Sequence, residues 1–140
     1  MSSSARLHTF RLTPHTDLRK SILRYARNNG IRAGVMITCV GSLEQVHLRY
    51  ANAGEGVKRQ GHFEILSCTG TFCDDGQGHF HLAVADSSGV ASGGHLLDDN
   101  LIFTTAEIAL AELTELQFER KTDPAYGYRE LEISRREGRD

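Results

Sequence analysis

Three histidines lie close together near the middle of the sequence, in two short glycine-flanked segments. His79 and His81 belong to a Gly-His-Phe-His run, and His95 follows the pair Gly93-Gly94. Because side chains of a β-strand alternate between its two faces, we expect His79 and His81 to share one face. Three imidazoles with a fourth position open are typical of zinc sites that do more than stabilise a fold. The spacing therefore points to metal chemistry, provided that His95 joins the other two.

The turn between the two segments decides where His95 lies. Residues 86–89, Asp-Ser-Ser-Gly, are typical of a type I turn that ends on a glycine with positive φ. Such a turn pairs Asp86 with Val90, and counting outward along both strands places His95 opposite His81. We therefore predict one divalent-metal site on His79, His81 and His95, with zinc as the expected ion and copper, nickel or iron as alternatives. The competing interpretation is three unrelated surface or core histidines.

The remaining histidines and the cysteines are weaker candidates for chemistry. His8, His15, His47 and His62 are predicted to be ordinary surface or strand residues, although His62 could approach the site because it precedes the Phe63 strand. The three cysteines show no CxxC spacing and lie in apolar runs, which predicts buried free thiols in a reducing cytoplasm. A catalytic cysteine is an alternative without a local signature. The cysteines are Cys39, Cys68 and Cys73.

The elements that would position these residues are mostly strands. A single helix is predicted after Pro14, capped by Thr16 or Asp17 and ended by the Asn-Asn-Gly run at 28–30. Residues 101–116 mix helix-favouring and strand-favouring types, and we predict strand for most of them. The apolar run 35–41 is predicted to be a strand covered on both faces, and residues 52–60 a surface loop. Further strands are predicted at 6–13, 46–51, 63–72, 118–120 and 128–133.

Length and composition are consistent with one domain. The chain has 140 residues, of which 39% are hydrophobic, enough for one modest core. We predict an α+β domain over residues 1–134, with a large, mostly antiparallel sheet of about seven strands and one main helix near the N-terminus. Residues 135–140 are predicted to form a charged tail. No apolar run is long enough to span a membrane, and the N-terminus lacks the layout of a signal peptide.

The charge of the chain does not favour general binding to nucleic acid. The formal net charge is −2 at pH 7, whereas nucleic-acid-binding domains usually carry a clear basic excess. Four arginines nevertheless occur in one short stretch. They could form an anion-binding patch or simply a solvated helix face. They are Arg19, Arg24, Arg27 and Arg32.

Several segments together resemble a known family. The runs Gly-His-Phe-Glu-Ile-Leu-Ser at 61–67, Gly-Thr-Phe at 70–72, His-Phe-His-Leu-Ala-Val-Ala-Asp at 79–86, Gly-Gly-His-Leu at 93–96 and Thr-Thr-Ala-Glu-Ile at 104–108 resemble the plants-and-prokaryotes-conserved (PPC) domain family. The resemblance covers nearly the whole chain. It implies a compact α+β fold, a homotrimer and a metal on His79, His81 and His95.

The same resemblance carries an association with DNA. In plants, PPC domains follow AT-hook motifs in nuclear DNA-binding proteins, whereas bacterial and archaeal members stand alone. An AT-hook needs an Arg-Gly-Arg core that enters the minor groove of A·T-rich DNA. This sequence contains no Arg-Gly-Arg. It is therefore similar to the stand-alone members, without the part of the plant proteins that reads the groove.

Three functions fit these observations. The first is a trimeric metal-binding domain, in which Glu64 or Glu107 could serve as a general acid or base, or else orient a ligand imidazole or pair with an arginine. The second is a DNA-associated regulatory module whose metal is structural. The third is a sensor that holds a small anion at the metal between subunits. No motif names a substrate, and the sequence leaves open whether the protein is an enzyme.

Overall fold

A computed structural model describes residues 1–136 as one α+β domain with one helix and mostly antiparallel strands. This confirms the predicted fold class, with eight strands in place of about seven. The elements, in chain order, are β1 (Ala5–Leu12), α1 (Leu18–Asn28), β2 (Gly34–Arg49), β3 (Val57–Phe72), β4 (Gly78–Ala85), β5 (Ala91–Leu96), β6 (Leu101–Leu113), β7 (Leu116–Thr122) and β8 (Arg129–Arg135).

The main sheet has six strands in the order β1-β6-β2-β3-β4-β5, and β7 pairs with β8 in a separate two-stranded sheet. The end of β2 also pairs with β5, where Leu48 lies opposite Leu96 and Arg49 opposite His95. Strands β2 to β5 therefore close on themselves. Helix α1 covers the inner face of the sheet, and its buried side chains join the main core, which includes Ile22, Leu43, Phe80, Leu82 and Ile102.

Two element boundaries differ from the prediction. The predicted strands 35–41 and 46–51 form one long strand, β2, and β3 begins at Val57, so the predicted loop 52–60 is shorter. Strand β6 confirms the prediction for 101–116. Its alanines and two glutamates favour helix, but β6 pairs with β1 on one side and β2 on the other. Two ladders of backbone hydrogen bonds override that local preference.

The helix begins and ends where the sequence predicts. Asp17 is the N-cap, and its carboxylate accepts a 2.8 Å hydrogen bond from the Lys20 N–H. Thr16 instead donates its hydroxyl to the Thr13 carbonyl. The helix ends at Asn28, and Gly30 takes a positive φ of 61° after it.

Asp17→Ala should lower the free energy of unfolding by about 1–2 kcal/mol, because an N-cap oxygen satisfies a helix N–H that otherwise lacks a partner. The Asp17 carboxylate also accepts a hydrogen bond from the Asp99 N–H, which places this variant at the upper end of the range. Urea unfolding measures the change. Thr16→Ala is the matched control and should cost less; an equal cost in both variants would contradict the assignment of the cap to Asp17.

The prediction that residues 35–41 are covered on both faces is wrong within one chain. Val40 is 55% exposed and Ile37 is 54% exposed, because no element of residues 1–136 packs over this part of the sheet face opposite α1. Leu7 on β1 and Leu66 on β3 are also exposed, at 68% and 55%. We call these four residues the exposed apolar band.

The described chain ends close to the predicted tail. Strand β8 extends to Arg135, which pairs with Leu116 on β7. The last part of the predicted charged tail, residues 137–140, lies outside the described residues. Within the part of the chain that the structure describes, no helix has both the length and the apolar composition to cross a bilayer.

Candidate metal centre

The turn between β4 and β5 has the predicted register. The Asp86 N–H donates to the Val90 carbonyl at 3.1 Å, and Gly89 has a φ of +79°. The Asp86 carboxylate also accepts hydrogen bonds from the Ser88 and Val90 N–H groups. Counting outward from this turn, His81 lies opposite His95, as the sequence analysis predicts.

The three histidines meet on one side of the hairpin. Each offers a ring nitrogen, and the three nitrogens all lie within 4.8 Å of one another. The His79 and His81 Nε2 atoms are 3.1 Å apart. Two ligands of a tetrahedral zinc ion, each about 2.0–2.1 Å from it, lie about 3.4 Å from each other. The His79–His81 spacing therefore fits two ligands of one ion, and the third nitrogen lies within 4.8 Å of both.

Burial favours the uncharged form of two of the three imidazoles. It lowers the pKa of His95 to about 4, and the neighbouring imidazole of His79 and the Arg49 guanidinium act in the same direction. The pKa of His79 is also lowered, first by burial and then by His81 and Arg120. A neutral imidazole is the form that binds a metal. Near neutral pH these two side chains are therefore ready to bind one.

The glycines before His95 allow close strand contacts. A Cβ on Gly94 would lie 2.7 Å from the Arg49 carbonyl oxygen on β2, and one on Gly93 would lie 2.8 Å from the Leu82 carbonyl oxygen on β4. Only glycine fits without a shift of the backbone. The Gly-Gly-His run thus lets β5 approach both neighbouring strands at the point where His95 enters the site.

A cavity of about 330 Å³ opens beside the histidines, and His79 and His95 form part of its wall. We call it the arginine cavity, because four of its lining residues are arginines. Arg49 comes from β2, and the β7–β8 region contributes side chains that the sequence analysis did not select. They are distant in the sequence, and no motif marks them. From the β7–β8 region these are Arg120, Tyr128, Arg129 and Glu130, and Arg19 on α1 also lines the cavity.

The two glutamates proposed as acid or base lie elsewhere on the sheet. Glu64 is exposed on β3 opposite Ala85, which is four residues from His81 along β4. At about 3.3 Å per residue, that separation is roughly 13 Å. Glu107 on β6 lies opposite Arg11 and Val40. Neither lines the arginine cavity, so within one chain neither carboxylate lies beside the histidines.

The other histidines have local partners away from the site. His8 lies within hydrogen-bond distance of Tyr25 and Glu112, and His15 of Glu44. His47 contacts the Asp98 carbonyl, and His62 stacks on Phe103. Among residues 1–136, the one group of three or more possible metal ligands that meet is the set His79, His81 and His95.

The three cysteines are free and buried, as predicted. Burial raises the pKa of each thiol to about 12. A thiol with so high a pKa carries almost no thiolate at neutral pH, and the thiolate is the reactive form. Their environment therefore favours packing over catalysis.

The arginines of the N-terminal stretch separate in the fold. Arg19 lines the arginine cavity and pairs with Asp98 at 2.7 Å. Arg24 and Arg27 are exposed on α1, whereas Arg32 lines a second hollow near β7 with Asp74 and Asp75. The four arginines are thus divided among a cavity wall, a second hollow and a solvated helix face, so they do not form one patch.

Comparisons with known proteins show the family of this chain. The model of the Plants and Prokaryotes Conserved (PCC) domain, the family called PPC above, matches residues 1–114. The bifunctional protein GlmU of Synechococcus sp. (strain JA-3-3Ab) is 45% identical over 134 residues, or 96% of this chain. The chain spans about a fifth of the length of the curated relatives it matches, 21% for this one.

Solved structures share the fold. A hypothetical protein from Salmonella enterica is 37% identical, with a TM-score of 0.94 and coverage of 97% of this chain and 98% of that one. A metal-containing protein from Archaeoglobus fulgidus is 24% identical, with a TM-score of 0.71 and coverage of 89% and 91%. On the match of its sequence and its fold, the chain belongs to the plants-and-prokaryotes-conserved domain family.

Proposed function

We propose that this protein is a homotrimeric domain that holds one divalent metal ion per chain, zinc by ligand type, on His79, His81 and His95. The observation that carries the proposal is the meeting of three ring nitrogens within 4.8 Å. When bound, zinc on three imidazoles keeps a fourth position open and supplies a Lewis acid. The chain's own part is to hold the three rings in place on two strands of one hairpin.

The face opposite the helix supports the trimer. The exposed apolar band lies on β1, β2 and β3, and its four large side chains are each more than half exposed in one chain. Four large apolar side chains left exposed on one sheet face favour an interaction with another molecule. A second copy of the chain would provide the cover that the apolar run 35–41 predicts.

Elemental analysis and native mass of one purified sample test the proposal. We expect about one zinc per chain in an assembly of three chains of 15.5 kDa, because the ligand set is complete within each chain. Reconstitution with zinc after chelation should restore the metal. Metal-free protein after reconstitution would refute the histidine site, and a monomeric mass would refute the trimer.

A DNA-associated module is the second candidate, favoured by the exposed Arg24 and Arg27 on one helix. It is tested by binding to random duplex DNA over a range of salt concentrations. Arginine contacts to phosphates would make the affinity fall steeply as salt rises. We expect no such binding at physiological salt, given the net charge of −2; tight, salt-dependent binding would favour this candidate.

A further inference from the structure

We propose that the arginine cavity binds a small molecule through a carboxylate or phosphate group, with Arg49 and Arg120 as its main contacts. The inference deepens the proposed function, since it names the class of ligand that would lie beside the metal. It rests on that function for the position of the ligand relative to a metal ion. The contact with the arginines needs no metal.

The charges in the cavity wall favour an anion. Four arginines and one glutamate, Glu130, line it. Arg19 already forms an ion pair with Asp98. Among the ion pairs of residues 1–136, none involves Arg49, Arg120 or Arg129. Glu130 offsets only one of the four positive charges, and the side chains of Arg49 and Arg120 are half-buried. Such a wall attracts an anionic ligand more strongly than a single exposed lysine or arginine does.

The arginines are held in place but keep free donors. Arg120 donates to the Thr71 hydroxyl at 2.7 Å, and Arg129 donates to the Arg120 carbonyl at 2.5 Å. Arg49 makes one long contact, 3.4 Å, with the Ala53 carbonyl. A guanidinium has five N–H donors in a planar fork. Each side chain therefore keeps donors for the paired hydrogen bonds that arginine forms with carboxylate or phosphate.

The position of the cavity links the anion to the histidines. His79 and His95 form part of its wall, and Arg49 lies directly opposite His95 across β2 and β5. A volume of about 330 Å³ is at the lower end of the range for small-molecule sites. A small ligand held by the arginines would therefore place one end next to His79 and His95.

Calorimetry with two probes, inorganic phosphate and succinate, tests the proposal on metal-free and zinc-loaded protein. We expect at least one probe to bind, and Arg120→Gln to weaken its affinity roughly ten-fold through loss of a charge-assisted pair. Arg49→Gln is the second variant, in case the loss of the Thr71 contact disturbs folding. Arg24→Gln removes the same charge from the exposed face of α1 and should leave the affinity unchanged.

The outcomes separate this proposal from the proposed function. Arginine-dependent binding to the metal-free protein supports the anion site even if zinc does not bind. Zinc binding without binding of either probe overturns the anion site and leaves the metal proposal standing. An equal loss in Arg24→Gln and Arg120→Gln also overturns it, because the effect would then come from net charge alone.

Discussion

His81→Ala should abolish zinc binding and leave the fold intact. The substitution removes one of three ring nitrogens, and a ligand set of two imidazoles holds zinc far more weakly than three. We expect the zinc content to fall from about one per chain to near zero, measured by elemental analysis after dialysis. The variant should remain folded by circular dichroism, because the other face of β4 carries the buried Phe80, Leu82 and Val84.

The matched control for this variant is His62→Ala. His62 is exposed and stacks on Phe103 outside the histidine cluster, so its loss should leave the zinc content unchanged. Retention of one zinc per chain by His81→Ala would show that the metal lies elsewhere. Unfolding of His81→Ala at room temperature would show that the site and the core are not independent, contrary to the separation of the two faces of the hairpin.

Val40→Asp should convert the proposed trimer into a monomer. Val40 is 55% exposed in one chain, so a carboxylate there stays in water in the isolated chain, where water screens its repulsion from Glu107. In an apolar interface the same group would lose its water without gaining a partner, and it would lie beside Glu107 on the neighbouring strand. Such burial costs several kcal/mol. We expect the native mass to fall from about three times 15.5 kDa to that of one chain.

Val90→Asp provides the comparison for the mass measurement. Val90 is 62% exposed and lies next to the turn of the β4–β5 hairpin, outside the exposed apolar band, so this variant should keep the native mass. The Val40→Asp monomer should still bind zinc, since one chain supplies all three ligands. An unchanged mass in Val40→Asp would place the contact between copies elsewhere. Loss of zinc with the trimer would show that a neighbouring chain completes the site.

The pairing of His81 with His95 could be predicted because its geometry is local. His81 and His95 are joined by a turn whose residue types specify its conformation, and a strand repeats every two residues. These two facts alone place both histidines opposite each other, as the structure confirms. The helix is local in the same sense, since Asp17 caps it and Gly30 follows its end.

Strand β6 shows where local preference is insufficient. Its Ala and Glu residues favour helix, but the pairing of β6 with both β1 and β2 makes it a strand. Those partner strands lie far away in the sequence, so the secondary-structure propensity of residues 101–116 alone did not decide between helix and strand. The apolar run 35–41 is a second example, because its composition indicates cover on both faces but does not show that one chain leaves Val40 exposed.

What the sequence determined by itself is the family, from motifs spread along the chain, and the helix and the register that brings His81 opposite His95, because these two depend on residues close along the chain. Only the tertiary structure decided what surrounds that site. The pairing of β2 with β5 places Arg49 opposite His95, and the β7–β8 region brings Arg120 to the same cavity. These contacts join residues separated by tens of positions. Whether such distant segments meet depends on the packing of the whole sheet, because no local pattern specifies it.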